Sequence, residues 1–169
     1  MSFSTDLLQQ AAELLRKEAK RPRQASLRRA VSAAYYALFH LLTDEAAKLL
    51  VSGPQRAVLR QCLRRAFAHG AMKTVSNDFG RGAPSRQFLP ALAGAAVPGA
   101  LRQVATAFVG LQQARHEADY DHLRTYTKAK AVDVVQQAHG AVAAWGTVRG
   151  SIAADAYLVA LLAQGAMRG

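Results

Sequence analysis

The chain has 169 residues, of which 51% are hydrophobic and only 7% aromatic, so it is long enough to bury one sizeable core. Because Ala, Leu and Arg are abundant and strand-like runs are scarce, the composition favours an all-α fold over a β or mixed one. The formal net charge of +11 indicates an acidic partner, most commonly nucleic acid, ahead of an anionic membrane surface or an acidic protein.

The sequence contains no pattern typical of a cofactor, metal or membrane protein. Cys62 is the single cysteine, so a disulfide framework is excluded and a reducing cytoplasm is expected. There is no glycine-rich phosphate loop, no carboxylate pair at metal spacing and no Ser-His-Asp order. No apolar stretch reaches the length of a membrane span, and the first residues do not resemble a leader. We therefore expect a cytoplasmic protein without cofactor, metal or membrane contact.

A basic cluster follows the first predicted helix. That helix should begin after Ser4 and bury a stripe of leucines and alanines up to Leu15. The cluster runs across Pro22 into the next helix and comprises Lys17, Lys20, Arg21, Arg23, Arg28 and Arg29. Such a run is commonly a solvated face, but with little acid nearby it is also the best candidate for contacts with RNA phosphates.

A long second helix is predicted over residues 26–51. Its two adjoining apolar stripes are typical of a central helix that neighbours contact from several sides. Tyr36 and His40 lie one turn apart on the remaining polar side, where they would either line a groove or be merely half-buried. A third helix should begin at Pro54, with an arginine ridge at Arg56, Arg60 and Arg64 opposite Val58, Cys62 and Phe67.

Residues 70–99 lose helical periodicity and contain several glycines and prolines. A loop of that length is unusual inside a compact domain, so we expect either a short helix near residues 87–92 or a mobile flap over a site. A fourth helix should start near Pro98. In it Leu101, Val104, Phe108 and Leu111 recur at helical spacing and predict a buried stripe.

This stripe continues into polar chemistry. The next positions on the same face are Arg115, Ala118 and His122, so a guanidinium and an imidazole occupy places where core residues were due. A buried charge is costly unless a partner, ligand or second subunit satisfies it, and such conflicts often mark function. The structural alternative is an Arg115–Asp119 ion pair, with His122 capping the helix C-terminus.

The rest of the chain predicts a helix from about Thr127 and, after Gly150, an apolar segment over residues 152–167. That last segment should pack on the bundle or on another subunit. The expected architecture is a single domain over residues 1–169. It is an antiparallel bundle of about five helices, with residues 151–169 as an accessory C-terminal helix.

Two motifs in this order resemble those of HEPN domains. Arg115, His116 and His122 are similar to the family's Arg-x4–6-His motif, and residues 118–121, Ala-Asp-Tyr-Asp, match a string of one family branch. Residues 29–40, ending in Tyr-Tyr-Ala-Leu-Phe-His, resemble the signature of the family's second helix. The motifs and their flanking helices cover most of residues 5–149. Tyr120 precedes His122 by two positions, whereas the family's tyrosine often follows the histidine by two.

The resemblance implies a metal-independent endoribonuclease of the toxin or defence type. In this family two subunits pair around the motif, so two Arg and two His meet in a composite cleft. Arg115 would stabilise the phosphate and His122 would act as general acid and base, leaving a 2′,3′-cyclic phosphate that DNA cannot form. The residues expected to support this pair are His116, Asp119, Tyr120 and Asp121.

Assembly follows from the spacing of the motif. Arg115 and His122 would lie roughly 10 Å apart along an unbroken helix, too far to grip one phosphate together. Either the helix breaks near Asp121, or a second subunit supplies the partner residue, and we expect a homodimer. The alternative function is a non-catalytic HEPN module that binds RNA, a nucleotide, or a nucleotidyltransferase or antitoxin partner. The long motif gap and the displaced tyrosine favour it.

Overall fold

The computed structural model describes residues 2–18 and 20–166. These residues form helices and connecting loops, and they contain no strand. The predicted all-α fold is therefore confirmed. The described residues contain seven α-helices rather than about five. They are α1 (Phe3–Arg16), α2 (Gln24–Leu50), α3 (Ala57–Arg64), α4 (His69–Gly80), α5 (Gly99–Tyr120), α6 (Lys128–Val148) and α7 (Ile152–Ala166), with short 3-10 helices at Pro54–Arg56 and Leu89–Leu92.

The chain forms two compact units. The first unit comprises Met1–His40 and Ala107–Ala143, and the second comprises Leu41–Thr106 and Ala144–Gly169. Helices α2, α5 and α6 each contribute residues to both units. None of the helices in the described ranges combines the length and the hydropathy that crossing a membrane requires.

The first unit is a helical bundle built around the N-terminal part of α2. Leu27, Val31, Tyr35 and Leu38 are at most 1% exposed, so the prediction of a central helix is confirmed for this part of the chain. Helix α1 begins earlier than expected. Ser2 is its N-cap and accepts a hydrogen bond from the Thr5 backbone N–H at 3.3 Å, whereas the predicted cap, Ser4, is buried inside the helix.

The second unit contains a helix that the sequence did not predict. Residues 70–99 were expected to lack regular helix, yet α4 occupies residues 69–80 and packs on α7. The Ser76 and Tyr157 hydroxyls are 2.8 Å apart in this buried contact. The short helix predicted near residues 87–92 is present as the 3-10 helix Leu89–Leu92. Helix α7 thus packs within its own unit, and Met167 lies outside the described residues.

Helix α3 differs from its prediction in the side chains it buries. Val58 is 71% exposed and Cys62 is also exposed, so neither forms the expected inner face of the helix. Only Phe67 is buried, and it lies beyond the end of α3. The predicted stripe of α5 is confirmed, because Leu101, Val104, Phe108 and Leu111 are all completely buried.

Candidate functional site

Arg115 lies in the C-terminal part of α5, within the first unit, and is held by neighbours on three sides. Its Nε is 2.7 Å from the carboxylate oxygen Oδ2 of Asp119, one turn later. Its Nη2 donates to the Tyr36 hydroxyl at 2.8 Å. The guanidinium carbon also lies 5.3 Å from the ring centre of Tyr36 and 5.5 Å from that of Tyr120. The side chain is 18% exposed, so the predicted polar intrusion into the helix's buried stripe is real at this position.

These neighbours hold Arg115 as a permanent cation. Partial burial, the largest single influence, lowers the pKa of Arg115, but Tyr36, Asp119 and Tyr120 act in the opposite direction and the net pKa is raised. The guanidinium therefore keeps its charge at neutral pH. The structural alternative to a catalytic Arg115 is present in its expected form, the ion pair with Asp119.

His122 does not continue the stripe of α5. The helix ends at Tyr120, and His122 lies in the following turn with its side chain exposed, so its expected burial was wrong. The cause is Asp121, whose Oδ1 accepts hydrogen bonds from the backbone N–H groups of Leu123 at 3.1 Å and Arg124 at 3.2 Å. This Asx-type turn replaces another helical turn. The break near Asp121 was one of the two predicted ways to overcome the spacing of Arg115 and His122.

Arg28 donates hydrogen bonds to backbone carbonyls at the C-terminal end of α5. Its Nη1 donates to the carbonyl of Ala118 at 2.7 Å, and its Nη2 donates to the carbonyls of Asp121, at 2.9 Å, and Arg124. Carbonyls in the last turn of a helix lack intrahelical partners. Here one guanidinium binds such a carbonyl, that of Ala118, and two carbonyls of the turn that follows α5. Arg28 was predicted as an RNA contact, but most of its donors are bound to the chain itself.

An open groove of about 780 Å³ lies in the first unit, between α1, α2 and the end of α5. Leu7 and Leu14 of α1 give it an apolar side. Its polar side chains are those of Gln10, Arg28, Arg29, Ser32, Tyr36, Asp119 and His122. Chemically the groove therefore combines an imidazole, two guanidiniums, a phenol and a carboxylate.

Some polar groups of this groove bind other side chains of the protein, and others are exposed without such a contact among the described residues. Ser32 Oγ donates to Asp119 Oδ1 at 2.5 Å, so the Asp119 carboxylate serves both Ser32 and Arg115. Arg29 is exposed and makes no hydrogen bond or ion pair within the described part of the chain. Arg29 and the exposed His122 are thus the groove's groups best able to meet a ligand.

A second polar cleft of about 520 Å³ borders the other side of the α5 terminus. It is lined by Gln113, His116, Glu117, Tyr120, Asp121 and Arg124. The structure therefore separates the predicted site residues into two sets. Asp119 and His122 line the groove, and His116, Tyr120 and Asp121 line this cleft. Arg115 contacts Asp119 of the first set and Tyr120 of the second.

The remaining predicted RNA contacts lie outside the groove. Lys17 lines a smaller depression on α1, which shares Gln10 and Leu14 with the groove. Lys20 and Arg21 are exposed at the turn after α1. Arg23 lies 3.6 Å from a carboxylate oxygen of Glu18, and the Arg23 backbone N–H, which donates to the same carboxylate, lowers the pKa of Glu18.

Ser32 was missed in the sequence, although a signal for it existed. Arg28, Ser32 and Tyr36 are spaced by four residues and lie on one face of α2, the face that borders the groove. Tyr36 was expected either to line a groove or to be half-buried, and it does both. A polar stripe on an otherwise apolar central helix is therefore the pattern that locates this groove.

Neither a metal-binding cluster nor a known relative indicates what the groove binds. Among the residues that the structure describes, no three His, Cys, Asp or Glu side chains group closely enough to hold a metal ion. Comparison of the chain with protein-family models, curated proteins and solved structures found no match in any of the three. The HEPN resemblance stays a prediction from sequence.

Proposed function

We propose that this chain is a HEPN-type endoribonuclease whose reaction takes place in the groove of the first unit. The observation that supports the proposal best is the presence in one groove of an exposed imidazole, His122, and of the Arg29 guanidinium, which has no partner among the described residues. The formal charge of +11 adds a field that attracts a polyanion such as RNA.

In the proposed reaction His122 accepts the proton of a ribose 2′-hydroxyl as that oxygen attacks the adjacent phosphorus. The bond from phosphorus to the 5′-oxygen breaks, the leaving oxygen takes a proton from water, and the proton on His122 returns to the solvent. The products are a 2′,3′-cyclic phosphate and a 5′-hydroxyl. Arg29 meets the negative charge that grows on the phosphoryl oxygens.

Arg115 acts in this proposal through Tyr36 as well as by its charge. Its Nη2 donates to the Tyr36 oxygen and so holds the phenol at the edge of the groove. Asp119 holds Arg115 in place, and Ser32 in turn holds Asp119. Lys17, Lys20 and Arg21 would contact flanking phosphates, whereas Arg28 would not, because it is bound to backbone carbonyls.

A homodimer remains part of the proposal. Since His122 and Tyr36 line one groove in a single chain, pairing is not needed to unite them, but it would add a second copy of the site. Light scattering across micromolar concentrations measures this directly. A monomer mass throughout would leave the reaction to a single groove.

The test of the function is cleavage of a labelled single-stranded RNA by the full chain, with and without a chelator. The matched control is an oligonucleotide of the same sequence in which every 2′-hydroxyl is absent. We expect the RNA to be cut in both buffers, with a cyclic phosphate detected by mass spectrometry, and the DNA to remain intact. The function is excluded if the RNA stays whole or if the DNA is cut equally well.

A second candidate function is a non-catalytic HEPN module that binds RNA, a nucleotide, or a nucleotidyltransferase or antitoxin partner. The observation that favours it is that Arg115 is engaged inside the chain, by Asp119 and by Tyr36. In this alternative those contacts maintain the fold, and the groove binds without cutting.

Melting of an Arg115→Ala variant addresses the role of Arg115. Loss of a partly exposed ion pair and a hydrogen bond is expected to cost about 1–2 kcal/mol, which lowers Tm by roughly 2–8 °C in a chain of this size. Arg21→Ala, an exposed arginine in the same unit, is the control and should melt like the wild type. An unchanged Tm for Arg115→Ala would remove the structural role, and with it the observation that favours a binding module.

A further inference from the structure

The second cleft contains an aromatic side chain that the fold leaves largely in water. Tyr120, the last residue of α5, is 60% exposed. The ring of His116, one turn earlier, lies 5.1 Å from it between centroids at an interplanar angle of 48°. The Arg115 guanidinium lies 5.5 Å from the Tyr120 ring centre. These contacts orient the Tyr120 ring without burying it, so it adds little to the core.

The charges around Tyr120 disfavour a phosphate in this cleft. Glu117 and Asp121 contribute two carboxylates, and Arg124, the one guanidinium among the lining residues, lies 3.0 Å from a Glu117 oxygen. An anion would therefore meet net negative charge. A neutral aromatic ring with polar edges meets instead an open phenol face, an imidazole and acceptors for amino groups, which is the chemistry that a nucleobase requires.

Arg115 contacts one aromatic residue of the groove and one of the cleft. Its guanidinium lies 5.3 Å from the ring centre of Tyr36, which lines the groove, and also contacts the ring of Tyr120. The two tyrosine rings thus flank one cation. A strand with a phosphate beside Tyr36 would place its neighbouring base towards Tyr120.

We propose that Tyr120 and His116 form a stacking platform for one unpaired base of a single-stranded RNA whose backbone lies in the groove. This inference rests on the proposed function insofar as that function makes RNA the ligand, but it concerns binding and not cleavage. Because every base has an aromatic face, the platform tolerates different bases and selects unpaired strands over duplexes.

The first experiment measures binding of the full chain to a fully 2′-O-methylated RNA, which lacks the attacking hydroxyl and cannot be cut. Fluorescence anisotropy gives Kd for the wild type, Tyr120→Phe and Tyr120→Leu. Phe keeps the ring and should bind within about twofold of the wild type, whereas Leu should weaken binding about tenfold. Circular dichroism melting verifies that both variants are folded. Equal binding by Tyr120→Leu, or no RNA binding by the wild type, overturns the platform.

The second experiment separates stacking from a purely structural role of Tyr120. Each base of the same RNA is replaced in turn by an abasic unit, and Kd is measured for the wild type and Tyr120→Leu. At the stacked position the abasic unit should weaken wild-type binding about tenfold but leave Tyr120→Leu binding unchanged. If every abasic unit affects both proteins equally, the platform is excluded.

The two kinds of experiment distinguish failure of the platform from failure of the function. Cleavage of ordinary RNA together with no position-specific coupling would retain the ribonuclease and remove the platform. Coupling at one position in a protein that never cuts RNA would retain the platform and favour the binding module.

Discussion

The rate of RNA cleavage is expected to fall by about 10²–10⁴-fold in a His122→Ala variant, the usual contribution of a positioned general acid or base. Tm should stay within about 1–2 °C of the wild type, because His122 is exposed in the turn after α5 and its removal leaves no cavity. Single-turnover rates measured with excess protein on a short labelled RNA give the effect on chemistry rather than on binding.

His139→Ala is the matched control for this prediction. His139 is an exposed histidine of α6 in the same unit, but it does not line the groove. Its replacement removes the same chemical group from the same overall charge background, so cleavage should continue at the wild-type rate. Equal rates for His122→Ala and the wild type would contradict the assignment of the general base, and an equal loss in both variants would indicate a non-specific effect.

The sequence predicted best those elements whose periodicity is long and uninterrupted. The α5 stripe at Leu101, Val104, Phe108 and Leu111 was confirmed, as was the central position of α2 in the first unit. In such stretches each apolar position agrees with the next, so local pattern and tertiary burial point to the same answer.

Helix α4 was missed because glycines interrupt its pattern. Gly70 and Gly80 lie at its two ends, where glycine costs little, yet in the sequence they look like loop signals. Met72, Val75 and Phe79 do have helical spacing, but this run between the glycines is too short to predict a helix. In the structure all three are buried and α4 packs on α7. The error at α3 is the reverse, since Val58 and Cys62 have helical spacing but stay exposed.

The candidate site was predicted in part. The sequence identified Arg115 as an exception to the buried stripe, and the structure shows both the exception and the ion pair offered as its explanation. The predicted break of the helix near Asp121 is present, and the turn that Asp121 forms leaves His122 exposed, so only the continuation of the buried stripe to His122 was wrong. Above all, the sequence could not show that Arg28 and Arg29 have different roles. Only the fold places backbone carbonyls beside Arg28 and leaves Arg29 exposed.

That difference predicts a large effect on stability for one of the two arginines. Arg28→Ala should lose three charge-assisted hydrogen bonds and leave the carbonyls of Ala118, Asp121 and Arg124 without this donor. Because the site is only partly buried, we expect a cost of about 2–4 kcal/mol, or a Tm lowered by roughly 5–15 °C. Arg28→Lys should recover little of this, because one ammonium cannot reproduce the guanidinium's fork.

Arg29→Ala is the paired control, and its expected phenotype is the opposite one. Arg29 is exposed and unpartnered in the described chain, so Tm should change by no more than about 1–2 °C. RNA binding should weaken, and the dependence of log Kd on log salt concentration should become shallower by roughly one unit, as expected when one phosphate contact is lost. If Arg28→Ala melted like the wild type, the stabilising role of the three Arg28 hydrogen bonds at the end of α5 would be refuted. If Arg29→Ala left the salt dependence unchanged, the strand would not follow this groove.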